Sequence, residues 1–329
     1  METRATSRDV ARLAGVAQAT VSNVLNGKGP VAAETRTKVL AAAKELNYQP
    51  NLAARSMRTQ RTGRIALVLG IASVDPAQMI NGAAATAHAA GYTLEAISIA
   101  GDLNTRSQEV VAIAQSGQFE GVLSLVSVRP DISQLVGTKV PIVVSETYGA
   151  NMRSVGDLAD ASPIVELMDR LIELGHRRFL HIAGLPSYVS ATERIDRYES
   201  VIKRHRLTSL GVVGYGWTGD VGEKAISALS PSSPPLAVIA ANDILALGAI
   251  RAAALRGWSV PGDMSITGWD NYEFGQYLLP TLTTVKVDRA EGARREMNRL
   301  LALLGGAAVE TPLPPLTSVI WRESTGAPA

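Results

Sequence analysis

The 329-residue chain has no cysteine, which rules out disulfides and cysteine metal sites and agrees with a reducing compartment. Its four histidines, His88, His176, His181 and His205, stand too far apart for ligand-like spacing, so neither a metal nor a cofactor is expected. No apolar run reaches the roughly 18 residues that span a bilayer, and the polar N-terminus METRATSRD is not a signal peptide. Together these absences predict a cytoplasmic protein. Catalytic signatures are also lacking. No glycine-rich phosphate loop follows a strand, no G-x-S-x-G occurs, and the histidines and carboxylates suggest no triad, so no enzyme is expected.

What is present is ordinary in bulk and uneven in arrangement. Hydrophobic residues make up 46% and charged residues 19%, which is too apolar for disorder, and the length suits two or three domains. The net charge of +2 hides a division. Residues 1–64 carry eleven basic side chains against four acidic ones, a net of +7, so the remainder is mildly acidic. A basic head on an acidic body is the electrostatic footprint of phosphate contact by the head alone.

Within that head, residues 7–26 (SRDVARLAGVAQATVSNVLN) read as two short helices across a tight turn. Val10, Leu13 and Ala14 form an apolar face, Gly15 breaks the run, and Val16, Ala19, Val21, Val24 and Leu25 supply packing after it. Gln18, Thr20, Ser22, Asn23 and Asn26 lie between them as short polar groups. A small-residue turn before a helix with one polar side suits insertion into the DNA major groove. On this segment alone, a helical hairpin that only packs is the alternative. A third helix is expected from about Glu34 to Leu46, with Val39, Leu40, Ala43 and Leu46 at helical spacing, stopped by Pro50. Residues 51–59 form a short helix-capable stretch, too short to be stable unless something holds it.

From Arg64 onward, short Val/Ile/Leu-rich strands alternate with helices in two series. This predicts two similar parallel-sheet α/β subdomains, each sheet covered on both faces, with a cleft between them. The late helix 288–304 and strand 318–323 have no slot in the second series and are expected to cross back, making the body discontinuous.

SRDVARLAGVAQATVSNVLNG, then ETRTKVLAAAKELNYQPNLAARSMRT, then the double α/β body ending in WRESTG, resemble the LacI/GalR family of bacterial transcription regulators over essentially the whole chain. The resemblance implies an N-terminal all-α helix-turn-helix head at 1–50, a hinge helix and linker at 51–62, and a periplasmic-binding-protein-like core at 63–329. Within the core it implies an N-subdomain of about 63–158 plus 288–315 and a C-subdomain of about 159–287 plus 316–329. It further implies a homodimer that represses from a palindromic operator in the nucleoid and is released by a small sugar or sugar derivative. A corepressor-dependent or ligand-independent regulator of the same fold is the alternative. A sugar-binding protein without a regulatory role is a remoter one, because it leaves the basic head unexplained.

The resemblance places base reading on Gln18, Ala19 and Asn23, with Ser7, Thr20, Ser22, Asn26, Asn51, Ala54 and Arg58 as further DNA contacts. Met57 stands where the family usually has a leucine that wedges into a central minor-groove step, and its similar volume keeps that chemistry. Asn23 replaces a commonly basic residue, and its amide suits adenine rather than guanine. Ala17 replaces a common serine, removing one capping and phosphate-binding hydroxyl. Effector contacts fall on Arg194 near a helix start, Asn242 and Asp270 at strand ends, and Trp217 as a stacking aromatic. An Arg194–Asp270 ion pair is the competing structural role for those two, and Asp243 is expected to cap the helix beginning at 244. GIASVDPAQM (70–79) lacks the family's aromatic pair, and VGDLADASP (155–163) lacks its Asp-Asn motif, so the amino-terminal wall of the cleft departs from the family.

Overall fold

The change of texture near Arg64 corresponds to a division into two units, Met1–Gly63 and Arg64–Ala329. The structure is a computed structural model and describes residues 5–25, 30–48, 61–70, 76–132, 140–145, 156–305 and 313–329. Asn26, Asn51, Ala54, Met57 and Arg58 lie outside the described residues.

The head holds three helices: α1 (Ser7–Ala14), α2 (Gln18–Leu25) and α3 (Ala33–Glu45). Thr6 donates from both its backbone N–H and its hydroxyl to the Asp9 carboxylate, a capping contact at the start of α1. Gly15 ends α1 at φ +65°, a left-handed conformation glycine adopts without a Cβ penalty. Val10, Ala11, Val21, Val24, Val39, Ala42 and Ala43 are buried together as the core of this unit. Two expected packing residues are not in it. Leu13 is 46% exposed and Leu40 is 49% exposed, each one step off the buried stripe of its helix. Ala19 is likewise exposed rather than packed.

The body starts with β1 (Arg64–Gly70), α4 (Pro76–Ala89), β2 (Thr93–Ile99), α5 (Leu103–Gln115), β3 (Gly121–Ser124) and β4 (Ile142–Val144). These strands form a parallel sheet in the order β2-β1-β3-β4. The second series is α6 (Pro163–Glu173), β5 (Arg178–Ile182), α7 (Val189–His205), β6 (Thr208–Val213), α8 (Gly219–Ser227), β7 (Leu236–Ala240), α9 (Asp243–Leu255) and β8 (Met264–Thr267). Its parallel sheet runs β6-β5-β7-β8, the same permutation of consecutive strands. Alternation along β1 shows why both faces must be covered. Ile65, Leu67 and Leu69 enter one buried cluster, while Ala66 and Val68 enter another on the opposite face.

The last elements are β9 (Thr284–Val287), α10 (Arg289–Leu303) and β10 (Thr317–Ile320). α10 crosses back to pack on α4, β3 and β4 of the first series, with Met297 and Leu300 fully buried. β10 then pairs antiparallel with β9, and the tail rejoins the second sheet where the Ile266 N–H donates to the Ser324 carbonyl at 2.9 Å. The body is therefore discontinuous in sequence. β9 has no counterpart among the expected strands. Among the described residues, no helix is long and apolar enough to cross a membrane.

Candidate functional site

On α2, the 100° step per residue separates two faces. Val21 and Val24 point into the head core, while Gln18, Ala19, Ser22 and Asn23 share the opposite arc; Gln18, Ala19 and Asn23 are exposed. Thr20 sits at the boundary, half-buried, and Ser22 is half-buried within the arc. Gln18 Nε2 donates to the Ser7 hydroxyl at 2.8 Å, so two of the expected DNA contacts orient each other across the turn. The Ala17 carbonyl accepts from the Thr20 and Val21 N–H groups at 2.9 and 3.2 Å, but its methyl offers no cap to the start of α2.

In the body, α7 carries Arg194 inward until the residue is 5% exposed. Nη1 donates to the Ala241 carbonyl at 2.7 Å, and the guanidinium lies 4.0 Å from the centroid of the Trp269 ring. Its Nε–H is buried and has no partner among the described residues. Burial pushes the Arg194 pKa down to about 10, with Asp270 opposing and Arg289 adding to the shift, so it remains a cation at neutral pH. Asp270 does not pair with Arg194. Its carboxylate meets Arg289 Nη2 at 2.9 Å, and the two side chains are 15% and 10% exposed.

The turn that carries Asp270 is held from three sides. Asp270 and Asn271 have φ of +98° and +51°, conformations that side-chain-bearing residues keep only when their surroundings enforce them. The Asp270 N–H donates to the Val285 carbonyl, the Asn271 N–H to the Thr284 hydroxyl, and the Tyr272 N–H to the Asp243 carboxylate. Thr284 also donates to Asp243 at 2.5 Å. Burial pushes Asp243 up to about 7 despite those hydrogen bonds. Asp243 is the first residue of α9 and not its cap; that role belongs to Asn242, whose Oδ1 accepts from the Leu245 N–H at 2.8 Å. The geometry follows from the extended backbone of Asn242, which points its side chain back over the first turn.

A cavity of 480 Å³ opens beside this turn. Gln78 of α4 lines it from the first series, facing Asp270, Asn271, Glu273, Gln276 and Arg289. Of the four expected effector residues, only Asp270 lines it. Arg194 and Asn242 lie behind it at the carboxyl end of β7, where α/β sheets place ligand groups. Trp217 sits apart on Gly184, where an added Cβ would fall 2.1 Å from the ring, and meets Tyr188 edge-on at 5.4 Å. Its indole N–H is buried and has no partner among the described residues.

Comparison with known proteins places these features in one context. Residues 6–51 match the bacterial regulatory proteins of the lacI family, and residues 168–325 match the periplasmic binding protein-like domain. The ribose operon repressor of Halalkalibacterium halodurans is 31% identical over 286 residues, covering 85% of each chain. The chain belongs to the LacI family. Further relatives are the lactose operon repressor of Escherichia coli, 30% identical over 97% of this chain and 90% of that one, and the transcriptional repressor PurR of Serratia proteamaculans, 34% identical over 85% of each. The lac repressor dimer bound to operator and the anti-inducer ONPF superimposes with a TM-score of 0.74 at 27% identity, over 99% of this chain and all of that one. The CelR–cellobiose complex matches with a TM-score of 0.57 at 28% identity, over 98% and 100%. These relatives are ligand-responsive repressors rather than enzymes, and this LacI-family chain is a DNA-binding repressor of the same kind.

Arg289 is the residue that sequence reasoning missed. A signal for it existed. It opens α10, where the positive end of the helix dipole disfavours a cation, so its placement calls for a nearby carboxylate, and Asp270 is that partner. In this LacI-family chain Arg289 stands in the cleft wall itself.

Proposed function

We propose that this LacI-family repressor binds a palindromic operator as a homodimer within the nucleoid and is released by a small polyhydroxylated effector, a sugar or sugar derivative. Residues 1–50 read the operator, 51–62 form the hinge, and 63–329 bind effector and dimerise. The observation that carries this reading is the outward arc of Gln18, Ala19, Ser22 and Asn23 on a helix whose other side is buried, in a stretch, residues 1–64, of net charge +7. Met57 is assigned as the minor-groove wedge between half-sites.

On the cleft side, the proposal rests on Asp270 and Asn242 beyond strand ends, with Arg194 reaching in from α7, beside a 480 Å³ cavity with amide, carboxylate and guanidinium groups. Trp217 is assigned as an aromatic neighbour of that site. Relatives named for the ribose and lactose operons, and the CelR complex with cellobiose, support a ligand of sugar size.

The DNA half is tested by selecting sites from random DNA with wild type and with Asn23→Arg. An amide donates to adenine N7 and accepts from N6, whereas arginine pairs with guanine N7 and O6. Selected half-sites should change at one base pair from adenine to guanine. The same preferred sites for both proteins would remove Asn23 from the reading surface.

A further inference from the structure

Asp270 lines the cavity from a backbone conformation that does not hold itself. Asp270 and Asn271 both have positive φ, and a turn of that kind persists only where its surroundings over-determine it. Side chains from two other segments do so. From the tail beyond β10, Arg322 donates to the Asn271 side-chain oxygen at 2.8 Å and to the Leu282 carbonyl at 2.7 Å. From the start of α9, Asp243 accepts the Tyr272 N–H on one oxygen at 2.7 Å and the Thr284 hydroxyl on the other at 2.5 Å. The Asp243 N–H donates to the Trp269 carbonyl at 2.9 Å, which ties α9 to the residue just before Asp270. Gly268 leaves the room this needs, since a Cβ there would overlap the Asp243 carboxylate. Asp243 is itself fully buried and does not line the cavity.

The strength of this clamp depends on the charge of Asp243. Ionised, each of its oxygens accepts a charge-assisted hydrogen bond. A proton on either oxygen puts a donor where an acceptor stood, facing another donor. Thr284 can yield by turning its hydroxyl, but its oxygen also accepts the Asn271 N–H at 3.3 Å, so the change reaches the turn by either route. The charged groups facing Asp243 are Asp270 from the turn, which opposes its ionisation, and Arg322 from the tail, which favours it. β9 contributes the neutral Thr284. Burial outweighs these contacts and lifts the carboxyl to about 7, so its charge changes near neutrality.

Resting on the reading of Asp270 as an effector contact, we propose that Asp243 is the positioning residue of the effector site: its ionised carboxylate holds Asp270 in the conformation that lines the cavity, and effector affinity follows its charge. The ligand does not touch Asp243. It binds a turn that the carboxylate has already drawn into place, so the ordering of that turn is not taken from the binding energy.

The test uses the full-length protein, as wild type and as Asp243→Asn, whose amide has the shape of the protonated acid; circular dichroism at pH 6 and pH 8 shows that both are folded. In ligand-free wild type, amide hydrogen exchange of the segment 270–276, corrected for the intrinsic effect of pH, should be at least about threefold slower at pH 8 than at pH 6. In Asp243→Asn it should be the same at both and match wild type at pH 6. Calorimetric titration with ribose, lactose and cellobiose then reads affinity. Any of these neutral sugars that binds should bind wild type up to about tenfold more tightly at pH 8 than at pH 6, the span of one proton titrating near 7. That difference should vanish in Asp243→Asn, whereas loss of a merely structural residue would change affinity by the same factor at both pH values. Exchange that does not depend on pH in wild type, or depends on it equally in the variant, overturns the proposal and leaves the cleft reading standing. So does a sugar that binds wild type equally at both pH values. Binding by none of the three counts against the sugar reading of the cleft, and the exchange result still decides the role of Asp243.

Discussion

Gly82 should be the least replaceable glycine of the first subdomain. It lies in the buried face of α4, among the small residues Ala83 and Ala87, where α10 crosses. A Cβ there would stand 2.1 Å from the Ala290 carbonyl oxygen, with the carbonyl carbon and Cα at 2.8 and 2.9 Å. All three atoms are backbone, so the clash cannot be relieved by turning a side chain. Overpacking of this kind costs about 1–3 kcal/mol, while replacing glycine by alanine in a helix returns about 1 kcal/mol. Because only backbone can give way, the cost falls at the upper end of that range, so Gly82→Ala should destabilise the body by about 2 kcal/mol, which for a unit of this size lowers Tm by roughly 4–8 °C. Because Ala290 follows Arg289, the same displacement pulls Arg289 from Asp270 and should weaken effector binding. A melt followed by circular dichroism, with ligand titration alongside, reads both effects. A variant that melts at or above the wild-type temperature would refute the close helix crossing.

Two further outcomes follow from the clamp around the cleft. Asp243 has its folded value raised from 3.8 to about 7, so its contribution to stability is present below about pH 4 and is lost as pH rises through 7. Asp243→Asn should become steadily more favourable relative to wild type between pH 4 and 8, by on the order of a few kcal/mol in total; parallel stability curves for the two proteins would argue against a titrating Asp243. Burial lowers His181 to about 4, an effect of opposite sign in an overlapping window, and taking the difference between variant and wild type cancels it. Asn242→Ala removes the cap on α9 and should cost about 1–2 kcal/mol in chemical denaturation, whereas Asn242→Asp should keep most of that stability. Equal losses in both variants would mean that the cap is not what Asn242 contributes.

Much of this arrangement is legible in local pattern. The runs IALVLG, FLHIAG and LAVIAAN announce buried parallel strands because both faces need apolar side chains. Gly15 marks the end of α1, and the polar arc of α2 follows from spacing alone. The misses share a physical cause. β9 is four residues long with the exposed Lys286 in its middle, and its partner β10 lies thirty residues further on, so no local periodicity signals it. Leu13 and Leu40 are apolar but one step off the buried stripe, a distinction that needs the packing partner. At Asn242–Asp243 either side chain is a good cap by type, and the buried contacts of Asp243 to Thr284 and Tyr272 decide between them. Arg289 needed two distant segments to meet before its partner could be seen.

The central claim is that the exposed face of α2 and the cleft around Asp270 serve one switch. Its most direct test is the fluorescence anisotropy of a selected operator titrated with the full-length protein, with and without a ligand shown to bind the cleft. The ligand should weaken operator binding at least about tenfold, a coupling typical of linked sites, and Asp270→Asn should abolish the shift without changing ligand-free affinity. Unchanged operator affinity at saturating ligand would contradict it.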